Sequence, residues 1–158
     1  MPPEKYWWEV WDREQPYRTK HCSRWEEWVA KYDHHWFWIG AWIGEHNHGR
    51  FTVYLAMESF CLLSGALICL DNLSFDDWVE GGIFLVCLAI TAVFGGLVFG
   101  LLVYHVYLIS IGATTWECFK RERISYLKPY PEFFHPFSEG FFKNWAQVIC
   151  HKYQLRDW

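Results

Sequence analysis

Residues 83–113 read IFLVCLAITAVFGGLVFGLLVYHVYLISIGA and contain no Asp, Glu, Lys or Arg. A membrane-spanning helix needs about 20 mostly apolar residues. A core helix of a soluble protein rarely stays uncharged over such a length. The stretch therefore predicts a transmembrane helix, which we place at about 83–111.

A second apolar stretch, residues 52–70, carries one charged side chain, that of Glu58. It is long enough to cross the hydrocarbon core of a bilayer. The short segment 71–80 between the two stretches is acidic and turn-like. We predict an α-helical polytopic membrane protein with two transmembrane helices in this chain, at about 52–70 and 83–111.

The basic residues lie before the first stretch and after the second, and segment 71–80 has no Lys or Arg. Cytoplasmic flanks of membrane proteins are enriched in Lys and Arg. We therefore expect both termini of this chain in the cytosol and the acidic loop on the far side. The formal net charge of −4 gives no reason to expect nucleic acid as a partner.

The segment before the spans, residues 1–51, is polar and aromatic and shows neither helical nor strand periodicity. It lacks the aliphatic residues for a core, so a fold here needs metals or disulfides. The six cysteines form no C-x-x-C pair, and the cytosol keeps thiols reduced. Twelve of the 158 residues are Trp, far above ordinary usage.

The sequence Asp33-His34-His35-Trp36 stands at the centre of this segment, with His21-Cys22 upstream and Asn47 and Phe51 downstream. It resembles the cysteine-rich domain of the DHHC protein S-acyltransferases (palmitoyltransferases), whose pattern is C-x2-C-x9-H-C-x2-C-x2-C-x4-D-H-H-C-x5-C-x4-N-x3-F. Every spacing is kept. Six of the seven cysteine positions hold tryptophan, namely Trp8, Trp11, Trp25, Trp28, Trp36 and Trp42.

Two further motifs of the family resemble segments after the second span. Thr114-Thr115-Trp116-Glu117 matches its T-T-x-E motif. The stretch from His135 to Asn144 is similar to a segment that reads roughly N-P-F-x-x-G-x-x-x-N, with His135 at the first Asn. The family usually has four transmembrane helices with the cysteine-rich domain between the second and third, so this chain is expected to be a C-terminal portion.

The resemblance implies a domain at 1–51, a loop-rich, zinc-finger-like cytosolic module that binds two zinc ions. Closely spaced Cys and His pairs suit a tetrahedral zinc site. One site would use Trp8, Trp11, His21 and Trp28, and the other Cys22, Trp25, His35 and Trp42, each with cysteine in place of tryptophan. The two spans with their loop form a second region, 52–113, and the cytosolic segment 114–158 carries Thr114, Thr115, Glu117 and Asn144.

The resemblance also implies the reaction. A cysteine at position 36 would attack the thioester of palmitoyl-CoA, with acyl-CoA as co-substrate. His34 would take the thiol proton, and Asp33 would orient the imidazole. The acyl group would then pass to membrane-proximal cysteines of client proteins. The implied location is a multi-pass protein of the endoplasmic reticulum, Golgi or plasma membrane, in contact with the lipid bilayer.

Taken literally, Trp36 offers no nucleophile and the other five tryptophans offer no zinc ligand. Three explanations are open. In the first, the source reads UGA as cysteine, so that a standard translation writes tryptophan at UGA codons while UGU and UGC codons still give cysteine. Alternatively, the chain is a natural pseudoenzyme, a non-catalytic membrane adaptor without zinc and nucleophile. The third explanation is deliberate replacement.

Overall fold

The computed structural model describes residues 6–8, 13–15, 18–22, 27–37, 40–74 and 76–150, with the backbone alone for 6–8 and 13–15. The chain divides into two compact units, and each is described by itself. One comprises Met1–Gly49 with Leu108–Trp158, and the other comprises Arg50–Tyr107.

Two long helices, α1 (His48–Asp71) and α2 (Trp78–Ile111), account for the second unit. Both are long and apolar enough to cross a membrane. They approach closely at glycines: a methyl group on Gly65 would lie 3.7 Å from Thr91 Cγ2, and one on Gly95 would lie 3.6 Å from Leu62 Cβ. The two spans predicted from composition lie within these helices.

Helix α2 begins earlier than the uncharged stretch predicts, because Asp77 caps it. The Asp77 carboxylate accepts hydrogen bonds from the backbone N–H groups of Val79 (2.9 Å) and Glu80 (3.3 Å). Such a cap satisfies N–H groups that have no partner within the helix. Glu80 is tolerated in the first turn because the helix dipole favours negative charge there.

The segment before α1 forms three antiparallel hairpins of short strands. They pair β1 (Tyr6–Trp8) with β2 (Arg13–Gln15), β3 (Thr19–Cys22) with β4 (Glu27–Ala30), and β5 (His34–Trp36) with β6 (Ala41–Ile43). Asn47 shapes the connection from β6 to α1: its side chain accepts from Gly44 N–H (2.8 Å) and donates to the Trp42 carbonyl (2.8 Å).

A small core forms where the hairpins meet the chain after α2. Cys22, Val29 and Tyr32 are buried together, and Trp42 and Trp116 pack against them. Gly44 is required beside this core, because a Cβ there would lie 2.7 Å from Val29 Cγ1. The second and third hairpins therefore pack together with the segment after α2.

The segment after α2 contains helix α3 (Thr115–Phe119), a 3₁₀ turn (Arg121–Arg123) and helix α4 (Phe141–Ile149). Gly112 makes the turn out of α2 with φ +67°, where a Cβ would lie 3.1 Å from the Ser138 Cα. Glycine adopts this left-handed conformation without the steric cost that a side chain brings.

Candidate active site

Asp33 is the most deeply buried of the predicted catalytic side chains, with 2% of its surface exposed. Its backbone N–H donates to the Ile43 carbonyl (2.8 Å), which fixes it at the start of the β5–β6 hairpin. Its Oδ2 lies 2.5 Å from His34 Nδ1, and its Oδ1 accepts a hydrogen bond from the backbone N–H of Thr115 (2.6 Å). The carboxylate is thus held on both oxygens.

Strand β5 presents its side chains to opposite faces, as strands do. His34 and Trp36 share one face, and their rings meet edge-on with centroids 5.6 Å apart. His35 alternates to the other face and pairs in register with Trp42 on β6. Position 36 therefore lies beside the imidazole that Asp33 orients.

Helix α3 supplies the Thr115 N–H, and its start is a capping box. The Thr114 hydroxyl accepts from the Glu117 N–H (3.2 Å), and the Glu117 carboxylate accepts from the Thr114 N–H (3.0 Å). This reciprocal pair of bonds defines the N-terminus of a helix. The capping box thus fixes the start of α3 so that the backbone N–H of Thr115, the residue after the cap, points towards Asp33.

Arg18 holds the other side of Glu117. Its Nε and Nη2 donate to the two carboxylate oxygens at 2.7 Å each, and Nη2 also donates to the Gly112 carbonyl at 3.0 Å. Its guanidinium lies 4.6 Å from the centre of the Phe137 ring. A two-point contact of this kind fixes geometry as well as charge.

Tyr126 completes the surroundings of Glu117. Its hydroxyl donates to Glu117 Oε1 at 3.4 Å. Burial raises the pKa of Tyr126 far above its ordinary value, and the nearby Glu117 charge raises it further. The phenol therefore stays protonated and remains a donor at neutral pH.

Lys20 contacts α3 from the β3 strand. Its Nζ lies 3.4 Å from the centre of the Trp116 ring and 4.4 Å from that of Tyr32. Such contacts between a cation and an aromatic ring are attractive. Burial lowers the pKa of Lys20. Sequence reasoning missed Arg18 and Lys20.

Asn144, predicted as a motif residue, ties the C-terminal segment to the end of α2. Its amide donates to the Ser110 carbonyl (2.9 Å) and the Ser138 hydroxyl (3.0 Å), and its oxygen accepts from the Glu139 N–H (3.0 Å). The side chain is 3% exposed. It lies outside the Asp33–His34 pair and serves to shape the segment.

Some of the predicted zinc positions are brought together in pairs. His21 is the cross-strand partner of Trp28, with ring centroids 5.2 Å apart, and His35 is the partner of Trp42. Trp42 also packs against the cluster that contains Cys22. Trp11, Trp25 and the side chain of Trp8 lie outside the part of the chain that is described.

The residues present do not fit zinc. The eight positions hold two histidines, one cysteine and five tryptophans, and an indole offers an N–H donor and no ligand atom. A structural zinc site needs four Cys, His or carboxylate ligands. The buried Nδ1 of His35 has no hydrogen-bond partner among the described residues.

The profile of the DHHC palmitoyltransferase family matches residues 2–122. The chain is 35% identical over 150 residues to the putative ZDHHC-type palmitoyltransferase 7 of Dictyostelium discoideum, covering 90% of this chain and 34% of that protein. It is 37% identical over 144 residues to protein S-acyltransferase 10 of Arabidopsis thaliana, covering 90% and 42%.

A human protein is similarly related. The chain is 35% identical over 141 residues to palmitoyltransferase ZDHHC12 of Homo sapiens, covering 86% of this chain and 52% of that protein. The chain thus spans about a third to a half of the length of these curated relatives.

Proposed function

Because the chain belongs to the DHHC palmitoyltransferase family, we propose that it forms the catalytic portion of a protein S-acyltransferase that moves a long-chain acyl group from acyl-CoA to cysteine thiols of client proteins. The observation that carries this proposal is the Asp33 carboxylate, held between the Thr115 N–H and His34 Nδ1. A carboxylate in that position fixes the tautomer and orientation of an imidazole that acts as a base.

The nucleophile in this proposal is a cysteine at position 36, encoded by UGA. Its thiol proton passes to His34 Nε2, and its sulfur forms a bond to the acyl carbonyl carbon while the bond from that carbon to the CoA sulfur breaks. The CoA thiolate leaves and takes that proton from His34, which is then neutral again. Transfer to the client repeats the exchange with a client cysteine as the attacking thiol.

The roles of the remaining residues follow from their contacts. Asp33 keeps Nδ1 of His34 engaged and stabilises the imidazolium that forms. The α3 N–H of Thr115 holds Asp33, and the capping box of Thr114 and Glu117 holds α3. The residues present do not fit zinc, and the acyl transfer described above uses only Asp33, His34 and position 36. In a chain with cysteine at the motif positions, zinc would rigidify the hairpins.

The proposed setting is a membrane surface. The chain has a cysteine-rich domain at 1–51, a membrane region at 52–113 and a cytosolic segment at 114–158. Both ends lie in the cytosol, where palmitoyl-CoA is available. The acyl chain lies among the helices, and the clients carry cysteines close to the bilayer. The host membrane belongs to the endoplasmic reticulum, the Golgi or the cell surface.

A second candidate is a non-catalytic membrane adaptor. It is favoured by the packing of the partly buried Trp42 against the Cys22, Val29 and Tyr32 cluster, since apolar contacts of an aromatic ring stabilise a core without metal. An adaptor would keep the hairpins and the binding surfaces while lacking zinc and nucleophile.

Peptide mass spectrometry of the protein from its natural source distinguishes the two functions. We expect cysteine at position 36 and at positions 8, 11, 25, 28 and 42, and an acyl group on position 36 that hydroxylamine removes. Tryptophan at all six positions, with UGG codons in the transcript, would leave the adaptor as the function.

A further inference from the structure

Lys20 extends from strand β3 towards two aromatic rings of its own compact unit, the one that comprises Met1–Gly49 and Leu108–Trp158. Its Nζ lies 3.4 Å from the centre of the Trp116 ring and 4.4 Å from the centre of the Tyr32 ring. The two rings meet each other edge-on, with centroids 6.1 Å apart. The ammonium group attracts both rings, because the face of an aromatic ring carries negative charge density.

The two rings belong to the sequence neighbours of the residues that form the Asp33–Thr115 hydrogen bond. Tyr32 directly precedes Asp33, and Trp116 directly follows Thr115. The bond from the Thr115 N–H to Asp33 Oδ1 measures 2.6 Å. The contacts of Lys20 therefore act one residue away from both ends of this bond.

Helix α3 depends on contacts with the rest of the unit, because it contains only five residues and a helix of this length is not stable alone. Arg18 fixes one side of its first turn through the two oxygens of Glu117. Trp116 points to a different side, since successive helical residues are rotated by about 100°, and there it meets the ammonium of Lys20. The direction of the Thr115 N–H therefore depends on both basic side chains.

We propose that Lys20 is a positioning residue for acyl transfer: its ammonium group holds the two rings together and thereby keeps the Thr115 N–H on the Asp33 carboxylate. The effect reaches the general base, His34, only through Asp33, whose other oxygen lies beside His34 Nδ1. Lys20 itself exchanges no proton in the reaction. The inference rests on the proposed function, because it adds a residue that acts on the same site.

Kinetics of the chain with cysteine restored at the six motif positions test this role. Lys20→Met keeps the apolar stem and removes the charge. Acyl-enzyme formation at saturating acyl-CoA should fall about 3- to 10-fold, and the acyl-CoA concentration that gives the half-maximal rate should not change. Lys20→Arg should restore the rate, since a guanidinium also stacks on aromatic faces. Lys128→Met, the same substitution at an exposed lysine, is the matched control and should leave the rate unchanged.

A double-mutant cycle with Thr115→Pro separates positioning from a general effect on folding. Proline removes the N–H on which Lys20 acts, so Lys20→Met should cause no further loss of rate in that background, whereas independent effects would add. Each variant should bind about two zinc ions, which checks its fold. If Lys20→Met fails this check, Lys20→Gln takes its place in the cycle under the same criteria.

Hydrogen exchange follows the same contact without acyl transfer. The exchange rate of the Thr115 amide, resolved by fragmentation mass spectrometry, should rise several-fold in Lys20→Met, because the amide is less often bonded to Asp33. It should stay unchanged in Lys20→Arg and in Lys128→Met.

Three results would each overturn the proposal: an unchanged acylation rate in Lys20→Met, an unchanged exchange rate of the Thr115 amide in that variant, or additive losses in its combination with Thr115→Pro. A restored parent chain that acyl-CoA does not label at position 36 would refute the proposed function instead. The exchange rates of the Thr115 amide would then decide the role of Lys20 by themselves.

Discussion

The backbone N–H of Thr115 and the Oδ1 of Asp33 form a 2.6 Å hydrogen bond across 82 residues of sequence. Thr115 is the first residue of α3, and its N–H is one of those that an α-helix leaves without an internal partner. The T-T-x-E motif therefore acts on the Asp33–His34 pair through the main chain. The bond can be removed without changing Asp33 or His34.

Thr115→Pro removes this N–H donor and retains the start of the helix. Proline is favoured at the first helical position, and Thr114 before it is already extended, with φ −115° and ψ 158°, as a residue before proline prefers. In a chain with cysteine restored at the six tryptophan positions, acyl-enzyme formation should fall about 10- to 100-fold, since a hydrogen bond to a charged group is worth about 1.5–3 kcal/mol.

Thr115→Ala is the matched control for that experiment. It keeps the N–H and removes a buried hydroxyl that has no hydrogen-bond partner among the described residues. Its acylation rate, measured as hydroxylamine-sensitive label from acyl-CoA, should stay close to that of the restored chain. Equal losses in the Pro and Ala variants would show that the hydroxyl matters and the Asp33 bond does not.

The stability of the first unit should depend strongly on Arg18. Arg18→Gln leaves the Glu117 carboxylate buried with its two-point partner gone; the two side chains are 12% and 6% exposed. Losing one member of a buried ion pair costs about 3–5 kcal/mol, so the midpoint of thermal unfolding should drop by several degrees.

Lys31→Gln provides the comparison for Arg18→Gln. Lys31 also forms a 2.7 Å ion pair, with Glu45, but these side chains are 33% and 26% exposed. Water and salt weaken such a pair to about 0–1 kcal/mol. An unfolding midpoint that falls equally in both variants would mean that the burial of Arg18 contributes nothing special.

The loss of folding stability at alkaline pH should depend in part on the ionisation of Tyr126. Because burial raises its pKa in the folded state, the folded chain holds this proton more tightly than the unfolded chain does. The resulting stability is complete below the unfolded pKa of about 10 and is lost as the pH rises above it. Tyr32, whose pKa burial also raises, acts in the same direction.

Tyr126→Phe should therefore reduce the fall in unfolding midpoint between about pH 10 and pH 11.5, although it lowers stability at neutral pH by removing the bond to Glu117. Tyr130→Phe is the control, since Tyr130 stacks on Phe134 with centroids 5.4 Å apart and is not bonded to Glu117 in the described contacts. An unchanged pH dependence in Tyr126→Phe would assign the alkaline loss to other groups.

Local patterns predicted the two spans; helix α3 was not predicted, although T-x-x-E marks its start, and long-range contacts were beyond local patterns. A long uncharged apolar run indicates a membrane span because the bilayer core requires an apolar helix whose backbone hydrogen bonds are satisfied internally. The T-x-x-E spacing is a sequence signature of a helix N-cap. Arg18 reaches Glu117 across 99 residues, and no local pattern encodes that distance. The hairpins were missed because strands of three or four residues are too short to show alternation.

The zinc sites of the cysteine-rich domain are tested by metal analysis. The chain as written should bind no zinc, because five of eight ligand positions are Trp. Restoring cysteine at positions 8, 11, 25, 28, 36 and 42 should give about two zinc ions per chain. His35→Ala in that background should lose about one ion, whereas His46→Ala, at an exposed position, should lose none. About two zinc ions in the chain as written would refute the ligand assignment.

The predicted membrane topology rests only on the distribution of basic residues along the chain. The basic residues flank the two spans and segment 71–80 has none, so both termini should be cytosolic. Epitope tags at the two ends should both be removed when protease is added to the cytosolic side of sealed vesicles, and the loop should stay protected until detergent is added. A shielded C-terminal tag would mean that α2 ends on the far side, away from the cytosolic pool of acyl-CoA.

His34 and His35 have different proposed roles, the first as general base and the second as zinc ligand. Variants of the two residues therefore test the proposed chemistry most directly. In the restored chain, His34→Ala should slow acylation about 10²- to 10⁴-fold while both zinc ions stay bound, since general-base help is typically worth that much. Asp33→Ala should act in the same direction by freeing the imidazole to turn. His35→Ala should lose metal and unfold more easily, because His35 faces away from His34 on β5 and pairs with Trp42. If position 36 carries cysteine, both zinc ions are bound and acyl-CoA still leaves that cysteine unlabelled, the acyltransferase assignment fails and the adaptor takes its place.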